Sequence, residues 1–178
     1  MRADNRLLKY TMTYGAYLGL AYSLVIFLLH LGGIIHYPGD KAGVFNTGIM
    51  TFVMLYFGRR YRDTVHQGEF IYRQAFGFTV LLSLFSAFIY GFFAYWYYGV
   101  IEPNGIDFSI NMFKQGLEQQ SKLSSQDLEA LIEVYRKTLT PGVMAFMVGF
   151  YQSVIGVLMG LIVAVFIKTP VNYFSNKE

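Results

Sequence analysis

Few side chains in this sequence are of types that do chemistry. His30, His36 and Asp40 could ligate a metal, but their spacing of six and then four residues matches none of the zinc signatures, so they are read as interfacial residues. Glu102 and Asp107, together with His36, could handle protons on a lipid at a membrane surface. The sequence supplies no paired acid and base, however, and Glu102-Pro103-Asn104 reads better as a helix exit. His36, Glu102 and Asn104 are kept as a candidate polar site at the outer interface. The chain has no cysteine, which removes disulfides, thiolate zinc, iron–sulfur clusters and a thiol nucleophile. No nucleophile elbow, phosphate loop or HExxH stretch occurs, so no catalytic residue, cofactor or metal site is expected.

The elements that would position these residues are set by charge. Of 178 residues, 54% are hydrophobic and 14% charged, against roughly 25% charged in an ordinary soluble domain. Asp, Glu, Lys and Arg are missing altogether from Tyr10–Gly39, Ala42–Gly58, Gln74–Ile101 and Thr138–Ile167, windows of 30, 17, 28 and 30 residues. A bilayer core of about 30 Å takes roughly 20 apolar residues in a helix, so three windows qualify and the 17-residue one is at the lower limit. The expected fold is all-α: one membrane domain over 1–178, with spans near 10–31, 42–58, 75–99 and 143–167 and an outer helical segment near 105–139. The first window follows Arg2, Arg6 and Lys9 but is too long for a signal core and lacks an A-x-A-like site, so it reads as a retained anchor.

With four spans, one side of the membrane receives Arg2, Arg6, Lys9, Arg59, Arg60, Arg62, Arg73, Lys168 and Lys177, nine of the fourteen basic residues, all in short flanks. That side is expected to be cytoplasmic, with both termini. Arg59, Arg60, Arg62, Trp96 and Lys168 are the orientation and lipid-contact residues, and the bilayer itself is the expected partner. Basic residues so placed give no footprint for nucleic acid. The second window rises only about 25 Å. It is read as a short helix with snorkelling ends rather than a re-entrant hairpin, which would move the 102–137 connection to the other side.

Small residues recur at helical spacing in three windows: Gly15, Gly19 and Ser23; Ser83, Ala87 and Gly91; and Gly149, Gly156, Gly160 and Ala164. Such faces let backbones approach closely in lipid, chiefly within the bundle, or else against another membrane protein or a second copy. Gln152 near the middle of the last window is expected to hydrogen-bond across helices. No window holds the Asp, Glu, Lys or Arg that commonly couples transport to an ion gradient, and His30, the nearest exception, lies close to the outer boundary. Tyr95, Trp96, Tyr97 and Tyr98 read as an interfacial belt. In the outer segment, Ile106, Ile110, Phe113 and Leu117, then Leu128, Leu131, Ile132, Tyr135 and Leu139, repeat at helical spacing. With Ser124 and Asp127 as a helix start and Pro141-Gly142 as a separator, they predict an amphipathic helical hairpin whose face with Glu129, Glu133 and Lys137 is solvated.

The run Gly68 to Phe76, the exit Tyr98-Gly99-Val100-Ile101-Glu102-Pro103-Asn104, and Thr140-Pro141-Gly142 before a glycine-rich last span ending in Ile167-Lys168 together resemble a family. It is that of the small four-span membrane proteins of Bacteroidota known as domain of unknown function 4199. The resemblance implies a multi-pass protein of the bacterial inner membrane and brings no activity or site. The leading functional expectation is a non-catalytic accessory or scaffold subunit. A passive transporter or channel for a lipid or neutral solute, with Gln152 and Asn46 facing an internal cavity, is the alternative, and a lipid-modifying enzyme using Glu102, Asp107 or His36 is the weakest.

Overall fold

The computed structural model describes residues 2–35, 42–120 and 124–169. Among them the chain forms six α-helices: α1 (Arg2–Leu31), α2 (Ala42–Val65), α3 (Tyr72–Trp96), α4 (Asn104–Gln120), α5 (Ser125–Thr138) and α6 (Pro141–Ile167). A π-helical turn, Tyr97–Ile101, prolongs α3. Three stretches, Asn5–Leu31, Tyr72–Ile101 and Pro141–Ile167, are long and apolar enough to cross a membrane, with mean hydropathies of 1.7, 1.9 and 2.3. The 24 residues of α2 are not among them, because Arg59, Arg60, Arg62 and Asp63 occupy its last turns and dilute its apolar part. His36, Asp40, Lys41, Lys122 and Lys177 lie outside the described residues.

Local chemistry accounts for where the helices begin and end. After α2 the backbone turns through Gln67 (φ 52°) and Gly68 (φ 91°), a left-handed pair that glycine makes inexpensive. Gln74 Oε1 then accepts the Ile71 N–H at 3.1 Å, satisfying a free donor at the start of α3. Ser124 caps α5, its hydroxyl oxygen accepting the Asp127 N–H. Pro141-Gly142 does not separate α5 from α6, as the sequence had suggested. Thr140 is the N-cap and Pro141 opens α6 itself, where a fixed φ fits and a missing N–H costs nothing. The break is only Leu139 and Thr140.

Helix α3 lies between α1 and α6, and α2 packs beside α6, α1 and α3. The approach is closest at glycines. A Cβ at Gly15 would stand 2.7 Å from Phe85 Cβ, and one at Gly19 2.6 Å from the Ser86 carbonyl oxygen, so α1 sits directly on α3. On the other side of α3, Gly156 meets Ser83, and a Cβ at Gly160 would lie 2.6 Å from Thr79 Oγ1. Gly91 and Gly149 face each other, and each would place a Cβ 3.3 Å from a carbonyl oxygen of the other helix. Ser23, Ser83, Ala87 and Ala164 are buried.

Two aromatic clusters close the ends. At the end holding Arg59 and Arg62, Tyr61 stacks on Phe78 at 5.1 Å and packs against Tyr10 at 4.9 Å and Phe70 at 5.9 Å, tying α1, α2 and α3 together. At this end α6 is also fastened to the α2–α3 turn. The Thr169 N–H donates to the Phe70 carbonyl at 2.8 Å, Phe70 N–H donates to Thr169 Oγ1 at 2.7 Å, and the Thr169 hydroxyl donates to the Gly68 carbonyl. At the opposite end, Tyr97 and His30 meet edge to face at 5.3 Å.

The Gly156 contact gives a direct test. Gly156→Leu forces a side chain into Ser83, an overpacking that costs about 1–3 kcal/mol or more, whereas Leu158 is 54% exposed and Leu158→Phe meets no neighbour of this kind. Thermal unfolding in detergent should show a lowered midpoint for Gly156→Leu and little change for Leu158→Phe; equal midpoints would refute the packing assignment.

Candidate functional site

Polar side chains inside the helices fall into two kinds. The hydroxyls are satisfied by their own helix: Ser23 donates to Gly19, Thr47 to Gly43, Thr51 to Thr47, Thr79 to Phe76, Ser83 to Val80, Ser86 to Ser83 and Ser153 to Gly149, at 2.8 to 2.9 Å. Such back-bonds leave a hydroxyl nothing to seek elsewhere. The two buried carboxamides are different. Gln152, 5% exposed, donates its Nε2–H to Met50 Sδ at 3.8 Å, a weak acceptor. Asn46, 2% exposed, lies against the Tyr90 hydroxyl, and its Oδ1 accepts no hydrogen bond. The Tyr22 hydroxyl lies beside Gln152 and Ser86 without a hydrogen bond of ordinary geometry.

Asn46 and Gln152 line one cavity of about 390 Å³. Its walls are Tyr90, Met144, Val148 and Gly43, its rim carries Met147 and Tyr151, and Ser109 of α4 and Tyr135 of α5 lie over it beside Tyr98. The lid is itself packed: Tyr135 stacks on Phe113 at 4.2 Å and Ile110 is fully buried. Among the described residues no Asp, Glu, Lys, Arg or His contributes to the lining. A chamber of this size falls within the range that takes small ligands, and its polar groups are neutral donors and acceptors at the end of an otherwise apolar wall. Among its described residues there is no Asp, Glu, His or Lys to act as general acid or base.

The cavity lies where α2 and α6 diverge. Toward the Arg59 end the two helices touch closely, a Cβ at Gly58 standing 2.7 Å from Ile167 Cδ1. Midway they meet at Met50 and Gln152. A Cβ at Gly43, at the other end, would have nothing within 4 Å.

The remaining residues singled out from the sequence do not gather into one site. Glu102, half-buried, and Asn104, exposed, stand at the turn into α4, and His36 is outside the described residues. His30 shares a hydrogen bond of 2.9 Å with the Tyr97 hydroxyl, and no group of three metal-ligating side chains occurs among the described residues. Arg59 and Arg60 are exposed, but Arg62 is spent within the protein. Its Nε–H donates to Asp63 at 2.7 Å, holding that carboxyl below its usual range, and an Nη1–H reaches the Ile167 carbonyl at 3.4 Å. The aromatic run splits: Tyr95 and Trp96 are exposed, while Tyr97 and Tyr98 are buried, because the π-turn rotates them inward. As a continuous interfacial belt the run was misread. Lys168 is half-buried, and its N–H donates to the Ala164 carbonyl.

Among the described residues the fold is all-helical, and three helices long and apolar enough to cross a bilayer are the mark of a membrane protein. The family described as "Protein of unknown function (DUF4199)" matches residues 13–169, and the chain belongs to it. No curated protein and no solved structure matches it.

The His30–Tyr97 pair anchors the π-turn from which Tyr98 reaches the cavity. Tyr97→Phe and His30→Leu should each lower stability by about 1 kcal/mol, the usual worth of one hydrogen bond. Because both remove the same bond, the double variant should cost no more than the worse single one. Fully additive losses in a double-mutant cycle would show that the pair does not interact.

Proposed function

We propose that this chain is a non-catalytic protein of the bacterial cytoplasmic membrane that binds a neutral ligand within the bilayer and, if it moves it, does so passively. The observation that carries the reading is the cavity with two buried carboxamides and, among the described residues, no charged or imidazole group in its wall. No Asp, Glu, Lys or Arg lies in the apolar windows, and His30, at the end of α1, shares a hydrogen bond with Tyr97, which favours binding or passive passage over driven transport.

In this reading α2 is a fourth span. Supporting it, α2 packs lengthwise from Gly58 against Ile167 to Met50 beside Gln152, and its apolar part ends at Arg59 and Arg60, where side chains can snorkel. Both termini then face the cytoplasm with the basic 59–73 segment, and α4 and α5 form a hairpin on the outer surface. Exposed Phe108, Met112, Leu131 and Val134 offer that hairpin an apolar contact with lipid, while Glu133 and Lys137 pair at 2.7 Å on its exposed side.

An accessory or scaffold role through the small-residue faces has less to stand on. Gly15, Gly19, Gly156 and Gly160 already face neighbours in the same chain and leave little of those faces for a partner.

Two experiments test the reading. Reporter fusions after Lys9, at Asp40, at Gln67 and at Gln120 should read inside, outside, inside and outside, and an inside signal at Gln120 would end the four-span topology. The chain has no cysteine of its own, so single cysteines report cleanly. Val148→Cys, in the cavity wall, should react with an uncharged methanethiosulfonate roughly tenfold faster than Ala164→Cys, which is fully buried. Equal inertness of the two would leave no accessible chamber.

A further inference from the structure

We infer that the cavity is a headgroup site for a neutral, hydroxyl-bearing glycerolipid of the diacylglycerol kind, which enters sideways between α2 and α6 with its chains left in the bilayer. This rests on the binding reading above and names its ligand.

Four observations converge on that class. Asn46 Oδ1 is a buried acceptor that receives no hydrogen bond although the Tyr90 hydroxyl lies beside the carboxamide, so an occupant that brings an O–H or N–H would satisfy it. Gln152 Nε2 donates to a thioether and has the Tyr22 hydroxyl beside it without a hydrogen bond of ordinary geometry, so a ligand oxygen such as an ester carbonyl improves on what it has. Among the described residues the lining holds no group to neutralise a phosphate or an ammonium, and burying such a charge unpaired is prohibitive. These three fix a head that donates, accepts and carries no charge.

The fourth observation separates a lipid from a small polar solute. The volume of about 390 Å³ is the share of about a dozen waters in the liquid, enough for a glycerol head and its first methylenes but not for two acyl chains. The chamber is not closed: α2 and α6 converge at Gly58 and Ile167 and part toward Gly43, and Met147 and Tyr151 on the rim are 48% and 62% exposed on the flank of α6. The walls between rim and carboxamides are apolar, formed by Met144, Met147 and Val148. Polar groups deep inside, apolar walls and a lateral mouth match an amphiphile inserted head first, while α4 and α5 cover the route from the aqueous side through Ser109 and Tyr135.

The test uses the full chain in phosphatidylcholine nanodiscs doped with a photoreactive diacylglycerol. Wild type should be crosslinked within the peptides carrying Asn46, Met144 to Gln152, or Tyr98. Asn46→Leu, which removes the acceptor, and Gly43→Phe, which fills open space at the mouth, should each lower that labelling about tenfold. Gly43→Phe serves where Asn46→Leu fails to fold, since nothing surrounds that Cβ. A photoreactive phosphatidic acid of the same chains should label these peptides far less. Labelling spread evenly over the lipid-facing surface, unchanged by both variants, or equal with phosphatidic acid would overturn the inference. If excess free glycerol abolishes labelling, the site belongs to a water-soluble polyol, and the lipid inference falls while the binding reading stands. If neither probe protects Val148→Cys from thiol reagents, both fall.

Discussion

Surrounded by lipid, a helix gains little by exchanging hydrocarbon chains for leucines, so the bundle depends on how closely its backbones can approach. Here that closeness is concentrated on α3. Gly15 and Gly19 bring α1 onto one side of it, and Gly156 and Gly160 bring α6 onto another, with Ser83 and Thr79 filling the space where Cβ atoms are missing. Large aromatic side chains take over where the glycines stop, and Tyr61, Phe78, Tyr10 and Phe70 fill the end of the bundle that carries Arg59 and Arg62. The two devices are complementary. Glycine contacts give dispersion between backbones, and the aromatic rings fill the space between α1, α2 and α3 at that end.

The same constraint explains why a cavity exists where it does. Helix α2 has no comparable glycine ladder: Gly58 meets Ile167, but Gly43 faces open space. It therefore closes against α6 at one end only, and Asn46 and Gln152 border the unfilled part. A hydroxyl in such a position can return its hydrogen to the carbonyl one turn back, as Thr47 and Thr51 do on the same helix. A carboxamide has both a donor and an acceptor to satisfy and is the residue type left wanting.

Much of this was legible from residue order, and the limits have physical causes. The absence of charge marks α1, α3 and α6 because a helix in hydrocarbon tolerates so few ionisable groups that their gaps become boundaries. It marks α2 less well, since that helix continues past Gly58 through four charged residues to Val65. Which of Tyr95 to Tyr98 turn inward was not legible. A π-turn shifts the helical phase, and a run of four aromatic residues carries no periodicity to reveal it. Pro141 was read as a break because proline stops helices from within, yet at the first position it starts one. The cavity lining comes from five helices and the π-turn, so no local pattern assembles Tyr90, Ser109, Tyr135 and Gln152 into one place. Asn46 and Gln152, as polar exceptions in apolar windows, were legible as residues facing an internal cavity, but the side chains around them were not.

The fastening at Thr169 has a mechanical consequence. With α6 tied to Phe70 and Gly68 and capped by Arg62, and with Ile167 lodged against Gly58, the two helices share a fulcrum at one end and are free of glycine contacts at the other. Sliding along the axis would break the Thr169 bonds, so a motion that keeps these contacts would have to be angular. From Gly58 to Gly43 the lever arm is about 22 Å at 1.5 Å per residue. A rotation of about 5° therefore carries the mouth of the cavity about 2 Å. A pair of tongs works in this way, with the width of the jaws governed from the hinge, and here the hinge lies at the opposite end of the bundle from the chamber it would adjust.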